Sequence, residues 1–226
     1  MNIVQYVMGV HERKLREKEA LRDHIISVSM DLFAKGGYEA VKMRDVADAA
    51  EYSVGTIYNQ FKDKNELFLA VQQMAFERKM IYMQDAVKPT MSGREMLLAI
   101  GKAYVRFGLE NPELYRVMFI LDSPMQAVQD HECWHTGLKL HNVLSQVVNY
   151  CMEAGALPTV DKLQMSFGLW AMVHGMVSLR VTDRLTIYEG DHIHEFTKVD
   201  DPDELIMQTL NMMCDLIFDH SEIVEN

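Results

Sequence analysis

Two short helical segments joined by a tight turn, within residues 38–69, constrain this chain more than any other feature. On the first segment Met43, Val46 and Ala47 can face a core together, and on the second Ile57 and Phe61, four apart, do the same. The second segment is too short and too polar on its other side to be a core element. Its remaining residues, Val54, Gly55, Thr56, Tyr58, Asn59 and Gln60, are small or hydrogen-bonding and uncharged, with Lys62 and Lys64 just beyond. Such a set suits a helix that lies in a DNA major groove.

The rest of the chain reads as helix too. Glycine and proline punctuate apolar runs of helical period, and no long stretch alternates with period two, so the expected fold class is all-α. A first long helix is expected from about residue 12 to 35, with Leu21, Ile25, Val28 and Leu32 inward and Gly36 and Gly37 as its stop. Arg13, Lys14 and Arg16 at its start read as a solvated face. Ser53 with Thr56 starts the reading helix, and Asp63 with Glu66 forms a capping-box pattern for the next. That helix carries Leu67, Val71 and Met74 and should link an N-terminal head to a body.

Three later starts pair a capping side chain with proline: Asn111 with Pro112, Ser123 with Pro124, and Asp201 with Pro202. Met96, Ile100, Ala103 and Phe107 form one inward stripe; Leu140, Leu144, Val147 and Cys151 form another. Helix 160–182 is apolar on two sides, Leu163, Phe167, Trp170, His174, Val177 and Val181 on one and Met165, Leu169, Met172, Met176 and Leu179 on the other. The final helix is similar, through Ile206, Leu210, Met213 and Ile217 with Leu205, Met212 and Leu216. A helix apolar nearly all round must be covered nearly all round. The expected cover is a second subunit, giving a homodimer through a seam of the last two helices.

Several spacings agree at once with one family. Leu32 to Tyr38, Arg44 to Ala47, Ser53 to Tyr58, Phe61, and Lys64 to Leu67 together resemble the TetR family of bacterial transcription regulators, over about residues 21–75. Tyr104 to Phe107, Asn111 to Tyr115, and Leu169 to Gly175 resemble the WHG-type C-terminal domain found in part of that family. The resemblance implies a helix-turn-helix DNA-binding head (residues 1–66) and a helical ligand-binding and dimerisation body (67–226). Three positions depart from the pattern. Glu51 stands where the turn usually has glycine, and a glutamate there costs roughly 1 kcal/mol for a positive φ. Lys42 stands near the usual threonine cap, and Asn59 and Gln60 replace a pair that is often histidine.

Charge fits this division. The chain carries −11 overall, yet residues 1–65 hold ten basic and ten acidic side chains, so the whole excess of acid lies beyond residue 65. Attraction to phosphate acts over about a Debye length, ~8–10 Å, so the local cluster of Lys42, Arg44, Lys62 and Lys64 matters more than the total. Thr56, Tyr58, Asn59 and Gln60 are the expected base readers, since Asn and Gln can pair with adenine edges. Ser53, Thr56, Tyr58 and the four basic residues are better placed for phosphates. No apolar run reaches the ~18 residues of a membrane span. The first ten residues lack the basic start and small-residue cleavage site of a signal peptide, and three scattered cysteines suggest a reducing cytoplasm.

The resemblance also implies a small-molecule site among the body helices. Its expected lining is Tyr104, Phe107, Tyr115, Met118, Phe119, Trp134, Trp170, Met172 and His174, in a chain with 18 methionines, whose side chains suit adaptable apolar sites. The same residues serve equally as ordinary core, and His174 on its apolar stripe reads first as a buried, hydrogen-bonded histidine. The acidic, aromatic body suggests a lipophilic effector, uncharged or cationic. His131 and His135, four apart, with Glu132, Cys133, His141, His192 and His194, are the nearest approach to a metal set, but no complete zinc spacing is present. No phosphate loop, nucleophile motif or cofactor signature appears. The expected function is a cytoplasmic repressor that leaves an inverted-repeat operator when a lipophilic ligand binds. The alternatives are a regulator governed by a protein partner, or a metal-dependent enzyme acting through Glu132, His131 and His135.

Overall fold

The computed structural model describes residues 3–121, 135–188 and 200–219, with side chains at 12–121, 137–188 and 200–218, and every regular element among them is helical. In order these are α1 (Ile3–Ala40), α2 (Met43–Ala50), α3 (Val54–Tyr58), α4 (Lys64–Ala86), α5 (Gly93–Glu110), α6 (Pro112–Tyr115) running into a π-type turn (Arg116–Ile120), α7 (His135–Glu153), α8 (Lys162–Val181), a 3-10 turn (Arg184–Tyr188) and α9 (Pro202–Asp219). The chain divides into two compact units, residues up to 74 with 116–130, and residues 75–115 with those from 131 onward. The division falls inside α4, not at its start.

The first unit is built around aromatic and β-branched side chains. Ile25 and Phe33 of α1, Val46 and Ala47 of α2, Ile57 of α3, Phe61, and Leu67, Phe68 and Val71 of α4 are all buried. Burying each large side chain contributes roughly 1.5–3 kcal/mol, which holds helices too short to persist alone. Tyr38 stacks on Phe33 and meets Phe68 edge-on. Helix α1 begins at Ile3, nine residues before the expected start, and breaks at Gly37, whose φ of 75° only glycine adopts freely. Val117 also belongs to the first unit's core, where the Gln72 side-chain amide donates to its carbonyl at 3.2 Å.

In the second unit α5 packs against α7, α8 and α9. Ser92 and Glu95 cap its start reciprocally, as Ser92 Oγ accepts from Glu95 N–H and Glu95 Oε2 accepts from Ser92 N–H at 2.7 Å. The stripes Ile100, Ala103, Phe107 and Leu140, Leu144, Val147, Cys151 are buried, while Met96 is half-buried. Gly108 permits a close approach of α5 to α8, since a Cβ there would collide with Val177 Cγ1 and press within 3.1 Å of the Tyr115 ring. The inward row of α8 is Ser166, Leu169, Val173, Val177 and Val181, which lies between the two stripes expected from sequence and takes members from each. The inward row of α9 is Ile206, Leu210, Cys214 and Phe218. Asp201 caps α9, its Oδ1 accepting from the N–H of Asp203 and Glu204. The expected start at Ser123 and Pro124 lies outside the described residues.

Candidate DNA-reading and effector sites

Local chemistry sets the head's turn. Lysine cannot accept a hydrogen bond, so Lys42 begins α2 without a side-chain cap; instead Asp45 Oδ2 accepts from the Lys42 N–H at 2.8 Å. Glu51 ends α2 in the left-handed region, φ 61° and ψ 35°, the strained conformation expected where glycine is absent. Ser53 then caps α3, its Oγ accepting from Thr56 N–H at 3.1 Å. Ile57 and Phe61 anchor the segment from below, fully buried. Val54, Gly55 and Tyr58 are exposed, Thr56 is half-buried, and Lys42 and Arg44 at the start of α2 and Lys62 beyond α3 are exposed as well. The exposed surface of the turn and α3 therefore carries most of the expected reading set.

Three members differ from expectation. Helix α3 closes at Tyr58, with Asn59 as its C-cap, so Asn59 and Gln60 follow the helix and are not part of it. Gln60 turns its side-chain oxygen inward, buried without a hydrogen-bond partner among the described residues, while its backbone carbonyl accepts from Arg22 Nη1 at 2.7 Å. Lys64 donates to the Tyr38 carbonyl at 2.9 Å and sits 4.1 Å above the Tyr38 ring, a structural employment for its ammonium. The cap of α4 is also shifted. Asp63 Oδ1 accepts from Glu66 N–H as expected, but Glu66 reaches past it to the Lys62 N–H at 2.6 Å.

In the second unit, three of the expected lining residues form one hydrogen-bonded group. Tyr115 Oη lies 2.6 Å from His174 Nδ1, Tyr104 Oη lies 3.1 Å from the same nitrogen, and the two phenols are 3.2 Å apart. Trp170 packs 5.3 Å from the His174 ring. Burial, with the nearby Lys79 charge second, lowers the His174 pKa; burial raises Tyr115 to about 12 and holds Tyr104 well above the ordinary phenol value. Phe107 is fully buried close by in sequence and Met172 is half-buried on α8. Met118 and Phe119 belong to the other unit. Trp134, His131, Glu132, Cys133, His192 and His194 lie outside the described residues.

Sequence reading passed over Lys79. It is 4% exposed, and its Nζ lies 3.9 Å above the centre of the Tyr104 ring. Desolvation pulls its ammonium down to about 7. The signal was present: Ala75, Lys79 and Met83 are four apart on one face of α4, and all are buried.

Residues 25–71 match the pattern of bacterial regulatory proteins of the tetR family, and residues 97–199 match a tetracyclin repressor-like C-terminal domain. The chain belongs to the TetR family. The two matches cover both stretches that carried the resemblance. The HTH-type transcriptional repressor KstR of Rhodococcus jostii (strain RHA1) is 37% identical over 71 residues, 31% of this chain and 34% of KstR. The HTH-type transcriptional activator FasR of Mycolicibacterium smegmatis is 28% identical over 102 residues, 45% of this chain and 47% of FasR. These alignments thus span about a third to a half of those relatives' own length. Among solved structures, the TetR family transcriptional regulator PfmR from Thermus thermophilus has a TM-score of 0.64 at 19% identity, covering 87% of this chain and 95% of PfmR, a likeness of fold. The TetR assignment accounts for the turn at Glu51, the short capped α3 and the helical body together.

Proposed function

We propose that this TetR-family protein is a DNA-binding transcriptional repressor, which holds an inverted-repeat operator as a homodimer and leaves it when a small lipophilic effector binds the body. The observation that carries this reading is the capped helix α3, pinned by Ile57 and Phe61 and presenting Val54, Gly55 and Tyr58 to solvent. Each α3 would enter one major groove, with half-site centres roughly 34–36 Å apart or a multiple of that. Residues 1–66 would serve as the DNA-binding head and the remainder as effector and dimer body. Tyr58 and Thr56 are the favoured groove contacts. Lys42, Arg44 and Lys62 are the favoured phosphate contacts, and Lys64, held by Tyr38, contributes less. KstR is a repressor and FasR an activator by name; repression is favoured here because the more identical of the two is the repressor.

The dimer reading is supported by α8 and α9. Leu163 and Phe167 are 65% and 56% exposed, and Leu179, Met212 and Leu216 are exposed too. A Cβ at Gly168 or Gly175 would meet nothing within 4 Å, which leaves room for a neighbouring helix to approach closely. Apolar faces of this kind in a regulator call for a partner surface. An effector that prefers one arrangement of the paired heads shifts the population toward it, and operator affinity falls by the same coupling.

Sequencing of genomic fragments retained by the purified protein would supply the operator. On that duplex, Tyr58→Ala should weaken binding at least about tenfold with the melting temperature unchanged, and Lys62→Ala should lower the salt slope by roughly one unit. Unchanged affinity in both variants would refute the assignment of α3 to DNA.

A further inference from the structure

Helix α1 leaves the head beside the reading helix. Its side chains Ile25, Ser29 and Phe33 are buried. Just before them in the chain, α1 passes both ends of α3. Arg22 Nη1 donates to the carbonyl of Gln60, just beyond α3, at 2.7 Å, and its guanidinium lies 4.2 Å above the Phe61 ring. The His24 ring meets Tyr52, just before α3, edge-on with 6.3 Å between centres. Residues 12–20, further toward the N-terminus, are helical and exposed. At 1.5 Å per residue they span ~13 Å, so α1 runs on past the level of α3 into the space outside the head.

The charges of this exposed run are sorted by face. Lys14, Lys18 and Arg22 follow at intervals of four, and Ile25, Ser29 and Phe33 continue the row at three, four and four. Both lysines therefore extend the face by which α1 meets the head. Glu12, Glu17 and Glu19 fall on other faces, and Glu17 pairs with Arg13 at 3.5 Å. Arg22 has Glu66 at 3.9 Å. Lys14 and Lys18 form no ion pair among the described residues. Like charges four apart repel along a helix, and no packing holds these two in place, since both side chains are exposed.

A polyanion relieves that repulsion, and a duplex read by α3 lies against the side on which α1 emerges. It carries one phosphate charge about every 1.7 Å of its axis. Lys18 and Lys14 stand ~6 and ~12 Å along α1 from Arg22, a reach of a few base pairs. We infer that Lys14 and Lys18 bind backbone phosphates of the DNA flanking the half-site, where sequence alone reads a solvated face. This rests on the reading of α3 as the groove helix. Phosphate contacts fix position and carry no sequence information, so the α1 extension adds affinity and footprint, not base preference.

The test uses the full chain and the operator recovered from genomic fragments, in two lengths. One duplex ends at the half-sites; the other has one further helical turn, ~10 base pairs, on each side. Lys14→Gln with Lys18→Gln should weaken binding to the longer duplex about tenfold or more at ~0.15 M salt, and lower the salt slope by roughly two units for each protomer bound. Base preference and melting temperature should not change. Trimming the flanks should cost wild type a similar factor and this variant little. Arg13→Gln with Arg16→Gln makes the same charge change on other faces of the same turns. Because exposed charges are screened beyond ~8 Å at this salt, that variant should stay within about twofold of wild type. Equal losses in the two double variants, no loss in the lysine variant, or a loss indifferent to flank length would each overturn the inference. A wild type that retards the short operator and gains nothing from flanks refutes this inference alone. A wild type that binds neither duplex refutes the regulator reading itself.

Discussion

A lysine enclosed by aromatic and aliphatic groups is protonated at a cost. Lys79 titrates at about 7 in the folded chain, against ~10.4 for a lysine in the unfolded one. Between those values the unfolded state binds more protons, so stability rises with pH across that window and the full penalty stands below about 7. Lys79→Met removes the penalty. Urea denaturation should therefore show the variant more stable than wild type at pH 6, with the difference shrinking toward pH 10. A second residue bears its own strain. Glu51 holds φ 61° with no side-chain hydrogen bond among the described residues, so Glu51→Gly should gain up to about 1 kcal/mol in the same assay, less the extra entropy of glycine in the unfolded chain. Loss of stability in that variant would mean the glutamate is held by interactions that offset its backbone.

At the scale of elements, the caps decide whether short helices form. Helix α3 has five residues and depends on Ser53; Ser53→Ala should cost about 1 kcal/mol in stability and weaken operator binding, with Ser53→Asp restoring the stability. The head was legible in sequence because its determinants are local. Met43, Val46, Ile57 and Phe61 face inward by spacing alone, and Ser53 and Asp63 cap by chemistry alone. Determinants set by distant packing were not legible. Nothing in the local pattern places Val117 in the head's core, because it arrives there from between two segments of the other unit. The inward row of α8 was blurred because a helix apolar on adjoining faces offers several equivalent stripes, and only its packing beside α5 and α7 selects Leu169, Val173 and Val177. Asn59 and Gln60 read as helical by proximity, yet the segment turns at Asn59 to bury Phe61. Lys79 escaped notice because a lone cation on an apolar face of α4 reads as a solvated tip.

For the molecule as a whole, the proposed dimer rests on the exposed apolar faces of α8 and α9. Phe167→Glu combined with Leu163→Glu would place two like charges at the proposed seam, and sedimentation should show monomers with intact helicity. A dimer that persisted in this double variant would move the interface elsewhere. The acid in the body and the neutral head imply that such monomers stay soluble while losing cooperative operator binding. The tight junction at Gly108 has a further consequence. With Val177 and the Tyr115 ring both pressed against it, that phenol has little freedom to swing, so its hydroxyl stands aimed at His174 before any visitor arrives. A receptor cast in advance loses little entropy on filling and tolerates few deviations in shape. The effector site proposed for this body would then answer to a narrow chemical vocabulary.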